Sequence, residues 1–285
     1  MRKLIFIIMI VFLQINTFVS ASDSINQQQL SVTFGIVPQQ SASKLAQLWM
    51  PIFKMIEMNT GVKIKFRTAP DIPTFEKRLA AGEYDLAYMN PYHYTVFSKQ
   101  PGYIAFAKAL DKKIKGIPVV RKDSSITNLQ QLADQSIAFP APAAFAASVL
   151  PRTHLAESGI VISPKYVSSH DSVYRNVAKG FFPAGGGVIR TFKNMTDDIK
   201  EQLTILWTSK GYTPHAFAAH PRVDNQIIKK IQAAMFSLNE SESGIKLFKS
   251  IKIKGITPAY DKNWDDVREL KINLIFLSKA LAKAI

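Results

Sequence analysis

At four places in this chain a short apolar, β-rich run ends in a turn that opens a helical pattern: residues 38–41, 90–94, 141–145 and 169–172. That recurrence constrains the fold more than any other feature. Strands alternating with helices imply α/β architecture, here expected with largely parallel sheets. The stretch 137–155 shows the pattern most fully. Ile137-Ala138-Phe139 is strand-like, Pro140 and Pro142 break the run, and a small-residue helix is expected from about 143 to 157. A helix begun this way offers free backbone N–H groups and the positive end of its dipole, both of which favour an anion. A plain strand-to-helix connection competes with that reading at any single junction. Four junctions together suggest helix N-termini converging on one ligand, outside the carboxyl ends of the strands.

The remaining chain supplies the other elements. Residues 31–37 alternate as a strand, and apolar residues from Leu45 to Ile56 recur at helical spacing. Ser41 or Ser43 is placed to cap that helix, Pro51 to kink it and Gly61 to end it. Further strands are expected over 62–67, 84–89, 103–110, 114–121, 165–168 and 203–208, and residues 211–215 break the chain before 216–219. Residues 181–187, with Pro183 and three consecutive glycines, read as a loop: either a flexible turn or a place where backbone approaches a ligand closely. Residues 188–190 then resume a strand. From 223 the pattern is helical to the end, with breaks near Gly244 and Gly255.

The N-terminus carries an address. Arg2 and Lys3 precede the apolar run 4–13, and Val19-Ser20-Ala21 follows, the order of a secretory signal peptide with cleavage expected after Ala21. The apolar run is too short for a membrane span of about 20 residues. The expected compartment lies outside the cytoplasm. With no cysteine, there is no disulfide framework, thiol nucleophile or lipidated cysteine. The formal charge of +15 falls to +13 on removal of Arg2 and Lys3 (15 − 2). That balance suits a small anionic ligand or an acidic surface. The charges are dispersed and form no basic arm, so nucleic acid is not expected as a partner.

The turns supply the candidate ligand-binding residues. Gln39, Gln40 and Ser41 come from the first, Asn90, Tyr92 and Tyr94 from the second, Ala144, Phe145 and Ala146 from the third, and His170 from the fourth. Thr213 and His215 lie in the break before 216–219. No catalytic residue, metal ligand set or cofactor is expected. The five histidines form no His-x-x-x-His pair, there is no Gly-x-Ser-x-Gly elbow, and no Lys-Ser/Thr follows the triple glycine.

Several pieces in order resemble the solute-binding proteins of phosphate, phosphite and phosphonate ABC transporters. They are Phe34-Gly35-Ile36-Val37-Pro38-Gln39-Gln40-Ser41, Gly82-Glu83-Tyr84-Asp85-Leu86-Ala87 with Asn90-Pro91, Leu150-Pro151-Arg152 and His170-Asp171. The resemblance implies a type II periplasmic-binding-protein fold: two α/β lobes joined by two crossing strands, closing on a ligand in the cleft. Lobe 1 would be residues 30–114 plus 214–285 and lobe 2 residues 115–213. It implies a monomer that delivers a small anion or organic ligand to an ABC permease. A membrane sensor kinase as the partner is the alternative output, and an exported enzyme a third reading. Tyr94 and His170 match the family's ligand residues. Ala144-Phe145-Ala146 stand where the family carries a Ser-Thr-Ser turn, and Pro183 where it often carries an acid that receives a ligand amine. The departures predict weak binding of aminophosphonates.

Overall fold

Local chemistry sets the helix starts. In this computed structural model, which describes residues 30–270, strand β1 (Ser31–Ile36) leads to helix α1 (Ala42–Thr60), whose first turn is capped by the Ser41 side chain accepting from Lys44 N–H. The signal-peptide reading of residues 1–21 lies outside the described residues. Pro51 sits within α1, and Gly61, at φ 70°, closes it. One face of α1 buries Leu45, Trp49, Ile52, Phe53 and Ile56, each contributing about 1.5–3 kcal/mol of burial. The same logic continues through β2 (Lys63–Arg67), α2 (Ile72–Ala80), β3 (Leu86–Met89) and α3 (Pro91–Phe97), with Asp71 and Asn90 as caps. Strands β4 (Ile104–Ala109), β5 (Gly116–Arg121) and β6 (Ser136–Phe139) follow.

After β6 the chain makes a π-helical turn, Phe145–Val149, which runs directly into α4 (Leu150–Glu157). The uninterrupted helix expected from 143 is therefore wider in its first turn. Then come β7 (Ser163–Tyr166), α5 (His170–Ala178) capped by Ser169, β8 (Ala184–Val188), α6 (Ile189–Lys193), α7 (Asp197–Gln202), β9 (Leu203–Ile205) and β10 (Ala216–Ala219). Helices α8 (Asn225–Ser237) and α9 (Glu242–Ser250), strand β11 (Ile256–Pro258) and the short helix α10 (Asp265–Arg268) complete the described chain.

Two sheets result, with strand orders β11-β4-β10-β3-β1-β2 and β7-β6-β8-β5-β9. They are mixed, not largely parallel. β10 runs antiparallel to both β3 and β4, and β5 antiparallel to β8 and β9, because these strands lie next to the passages between sheets and return in the opposite sense. The chain passes from the first sheet to the second through residues 110–115 and back through 206–215. These passages touch where Ile114 and Tyr212 exchange backbone hydrogen bonds of 2.8 and 3.0 Å. Two α/β units joined by two crossing segments give the type II architecture.

The triple glycine is a correction. Gly185, Gly186 and Gly187 are not a loop but the middle of β8, which pairs with β5 along its length and with β6 at Gly185. A Cβ at Gly185 would lie 2.4 Å from the Val173 side chain, and at Gly187 2.2 Å from the Tyr174 hydroxyl, both on α5. At Gly186, on the other face, it would lie 2.0 Å from the Ala147 carbonyl oxygen. The strand is glycine because helices approach closely from both sides. Residues 188–190 likewise turn into α6 and do not continue as a strand. In the C-terminal part the helical reading is interrupted by β11, and Gly244 lies inside α9.

Candidate functional site

The π-helical turn owes its position to two glycines. Gly116 of β5 and Gly186 of β8 leave room for the carbonyls of Ala146 and Ala147, 2.1 and 2.0 Å from where their Cβ atoms would be. The turn is thereby seated against the second sheet and heads toward the first. Its opening N–H groups, on Phe145, Ala146 and Ala147, have no intrahelical acceptor by virtue of their place.

Beneath that turn lies a small enclosed cavity between the two α/β units, with room of about 10 Å³, on the scale of one water. Gln39, Asn90, Ala144, Phe145, Ala146, His170 and His215 line it with the apolar Val37, Ile72, Ile114 and Val188. Seven of the twelve sequence candidates are thus brought together. Asn90 caps α3 through Oδ1, which accepts from His93 N–H at 2.8 Å, and its Nδ2 reaches across to the Ala143 carbonyl at 3.2 Å. Behind it, His93 Nε2 lies 2.9 Å from Asn90 Nδ2 and 3.0 Å from Glu76 Oε1, all three residues buried. The His170 N–H donates to the Gln39 carbonyl at 3.2 Å, a second bond across the units.

Arg190 is the cation nearest these groups. Its guanidinium bonds to Gln39 Oε1, donates to the Tyr88 hydroxyl at 3.4 Å and lies 5.8 Å from the centre of the Tyr88 ring. Tyr88 in turn stacks on His215, with ring centres 4.8 Å apart at 20°. Burial, with the Arg190 charge adding to it, pushes His170 down to about 3. The same two causes, in the same order, hold His215 well below the usual histidine range. Both imidazoles are therefore neutral at pH 7. The Nδ1 of His170 is 3.1 Å from Thr191 Oγ1, and the Nε2 of His215 has no hydrogen-bond partner among the described residues.

The other five candidates lie outside the cavity lining. Gln40 lines a neighbouring crevice with Tyr88 and Arg190. Ser41 is exposed and caps α1. Tyr92 is buried, its hydroxyl pushed up to about 12 by burial and then by the Glu76 charge. The Tyr94 hydroxyl donates to Asp261 at 2.9 Å and accepts from Ala105 N–H at 3.3 Å, so it ties α3 to the C-terminal segment. The Thr213 backbone N–H and hydroxyl both bond Asp266, at 2.8 and 3.0 Å. Pro183 precedes β8, five residues before cavity-lining Val188, or about 16 Å along an extended strand. Its lack of a carboxyl group therefore carries no argument about the cavity. Sequence reasoning missed Arg190, which follows the glycine strand as an isolated basic residue without any local motif.

Among the described residues, no acidic side chain lines the cavity. Chemically it offers helix-head amides, a free imidazole nitrogen, and a guanidinium one residue away. That set suits a small anion better than a cation.

A profile of the family described as "ABC transporter, phosphonate, periplasmic substrate-binding protein" matches residues 34–264. The phosphate-import protein PhnD of Mycolicibacterium smegmatis is 26% identical over 272 residues, covering 84% of each chain. Among solved structures, a binding protein component of an ABC phosphonate transporter from Pseudomonas aeruginosa aligns with a TM-score of 0.81 at 16% identity, over 90% of this chain and 93% of its own. PhnD1 from Prochlorococcus marinus, in complex with methylphosphonate, aligns with a TM-score of 0.78 at 18% identity, over 87% and 99%.

Proposed function

The chain belongs to the periplasmic substrate-binding proteins of phosphonate ABC transporters, and from that premise we propose that it captures a small phosphorus oxyanion in the cavity beneath the π-helical turn. In this reading, residues 30–114 together with the described chain from 214 onward form one lobe, and residues 115–213 the other. The ligand enters when they part and is delivered to an ABC permease when they close on it. The protein acts as a monomer in the periplasm, its mature chain beginning at Ser22; N-terminal sequencing of the exported protein checks that start.

One observation carries the reading. The cavity is closed by bonds that cross between the lobes, Asn90 Nδ2 to the Ala143 carbonyl and His170 N–H to the Gln39 carbonyl, each 3.2 Å. Its present room of about 10 Å³ requires those bonds to open before an oxyanion can enter. Ligand contacts made from both sides then replace them, and the ligand shifts the population toward closure.

The lining also sets specificity. A phosphonate finds amides and His215 but none of the hydroxyl donors that the related Ser-Thr-Ser turn would provide. Phe145, packed edge-to-face on Tyr212 at 5.5 Å, fills volume there instead. A ligand ammonium group finds no lining carboxylate. Losing two charge-assisted hydrogen bonds at about 1.5–3 kcal/mol each lowers affinity by two decades or more. Calorimetry with methylphosphonate, phosphate and 2-aminoethylphosphonate tests this. The first two should bind, and the aminophosphonate at least about tenfold more weakly, because its ammonium group alone is buried without a partner. Submicromolar aminophosphonate binding would sink the specificity argument, and no binding of any of the three would sink the proposed function.

A further inference from the structure

A larger cleft opens beside the enclosed cavity, with a volume of about 500 Å³. The two share Ile114, Val188 and His215 as a common wall. The wider cleft is lined by eight basic side chains and a single carboxylate, Asp111. The cations come from three separate parts of the chain: Lys112 and Lys115 from the first crossing segment, Arg190 and Lys193 from α6, and Lys252 and Lys254 from the turn between α9 and β11. They therefore face one another from both sheets and from the passage joining them.

Little inside the protein neutralises them. Of the eight, Lys113 alone has a carboxylate partner among the described residues, Asp266 at 3.3 Å. Arg190 is turned to Gln39 and Tyr88, and Lys112 donates to the Lys252 carbonyl. Burial, then the charges of Arg190 and Lys193, push the Lys112 ammonium down to about 8, so the cluster repels its own member. Between the cations the floor is apolar, formed by Ala109, Leu110, Ile189, Pro214 and Ile253. A concave volume within about 300–1,000 Å³, with an apolar floor and a few converging charges, has the shape of a small-molecule site and not of a flat protein contact.

We infer that this cleft is a second binding site, for an organic polyphosphate: a ligand with two or more phosphoryl groups on an apolar body. Lysine ammoniums serve as mobile point charges for phosphoryl oxygens, and several spaced around a cleft need several phosphoryl groups to engage them together. A single phosphonate in the enclosed cavity leaves these lysines unanswered. The apolar floor takes the organic body. The cations come from both α/β units, so a polyphosphate here is held from both sides. Its lysines lie outside the lining of the proposed oxyanion cavity, so the inference does not depend on that reading.

The test is calorimetry on the full mature protein with inorganic tripolyphosphate, adenosine triphosphate and adenosine, at low and at physiological ionic strength. Both polyphosphates should bind, the nucleotide more tightly, and adenosine should not. Raising the salt should weaken both polyphosphates. Exchanging the exposed Lys193 and Lys252 together, Lys193→Gln with Lys252→Gln, should weaken both by at least about tenfold, the loss expected for a single charge-assisted contact. Asn90→Ala, which alters the enclosed cavity, should weaken methylphosphonate while leaving tripolyphosphate within about twofold. Absence of polyphosphate binding, or binding unchanged in the double lysine variant, overturns the inference. Retention of the protein on anionic phospholipid vesicles without binding of either soluble polyphosphate also overturns it, by assigning the lysines to a membrane surface.

Discussion

Lowering the pH below 6.5 should destabilise this protein through two histidines. His170 is 1% exposed and His215 2%, and the charges acting on them are positive: Arg190 on both, with Lys112 and neighbouring histidines also on His215. In the unfolded chain both titrate near about 6.5. In the folded state His170 titrates at about 3 and His215 well below its usual range. Above pH 6.5 neither state binds a proton at these sites, and the linkage costs nothing. Below it, the unfolded chain takes up two protons that the folded protein refuses. Stability then falls by about 1.4 kcal/mol per pH unit through His170, and His215 adds to the fall in the same direction. Between pH 6.5 and 4.5 the loss through His170 reaches about 2.5 kcal/mol, a sizeable share of the whole stability of many domains. For His170 the loss continues until the pH nears 3. Urea unfolding at pH 7.5, 6.5, 5.5 and 4.5 measures the slope; His170→Gln should flatten it by about 1.4 kcal/mol per unit, and His215→Gln should flatten it too. A slope unaltered by both substitutions refutes the reasoning. So does an imidazole resonance of either residue titrating near 6.5 in the folded protein. The same electrostatics gives a ligand effect of opposite sense: an anion beside His215 raises its pKa, so binding takes up protons and strengthens as pH falls within the folded range.

Two substitutions probe the architecture around the cavity. Gly186→Ala places a Cβ 2.0 Å from the Ala147 carbonyl oxygen and 2.6 Å from the Phe139 ring; backbone cannot rotate away, and the expected loss is about 3 kcal/mol, at the upper end for overpacking, read as a lower urea midpoint. Tyr94→Phe removes the hydroxyl bonded to Asp261 and Ala105 N–H, and should cost about 1 kcal/mol of stability with oxyanion affinity unchanged in calorimetry; a tenfold loss of affinity would place Tyr94 in the binding site after all.

Features governed by chemistry within a few residues were legible in the sequence. Ser41, one of the two serines the sequence offered, caps α1 because a short polar side chain bonds an N–H three residues on, a local geometry that requires no knowledge of the rest of the fold. The strand-to-helix junctions followed from the same periodicities, and with them the α/β class and the gathering of Asn90, Ala144–Ala146 and His170 at one place. The tertiary structure decided what depends on distant neighbours. Three glycines carry no apolar pattern, so residues 181–187 read as a loop; residues 184–188 are a strand, with α5 and the π-helical turn pressed on its two faces. Tyr94 and Thr213 are drawn from the cavity by Asp261 and Asp266, more than 50 positions away in the chain. The lysine-lined cleft assembles cations near positions 112, 190 and 252, which the sequence shows only as dispersed charge. Caps and periodicity act over about four residues, whereas packing and charge convergence act through space, and only the folded chain brings those partners within reach of one another.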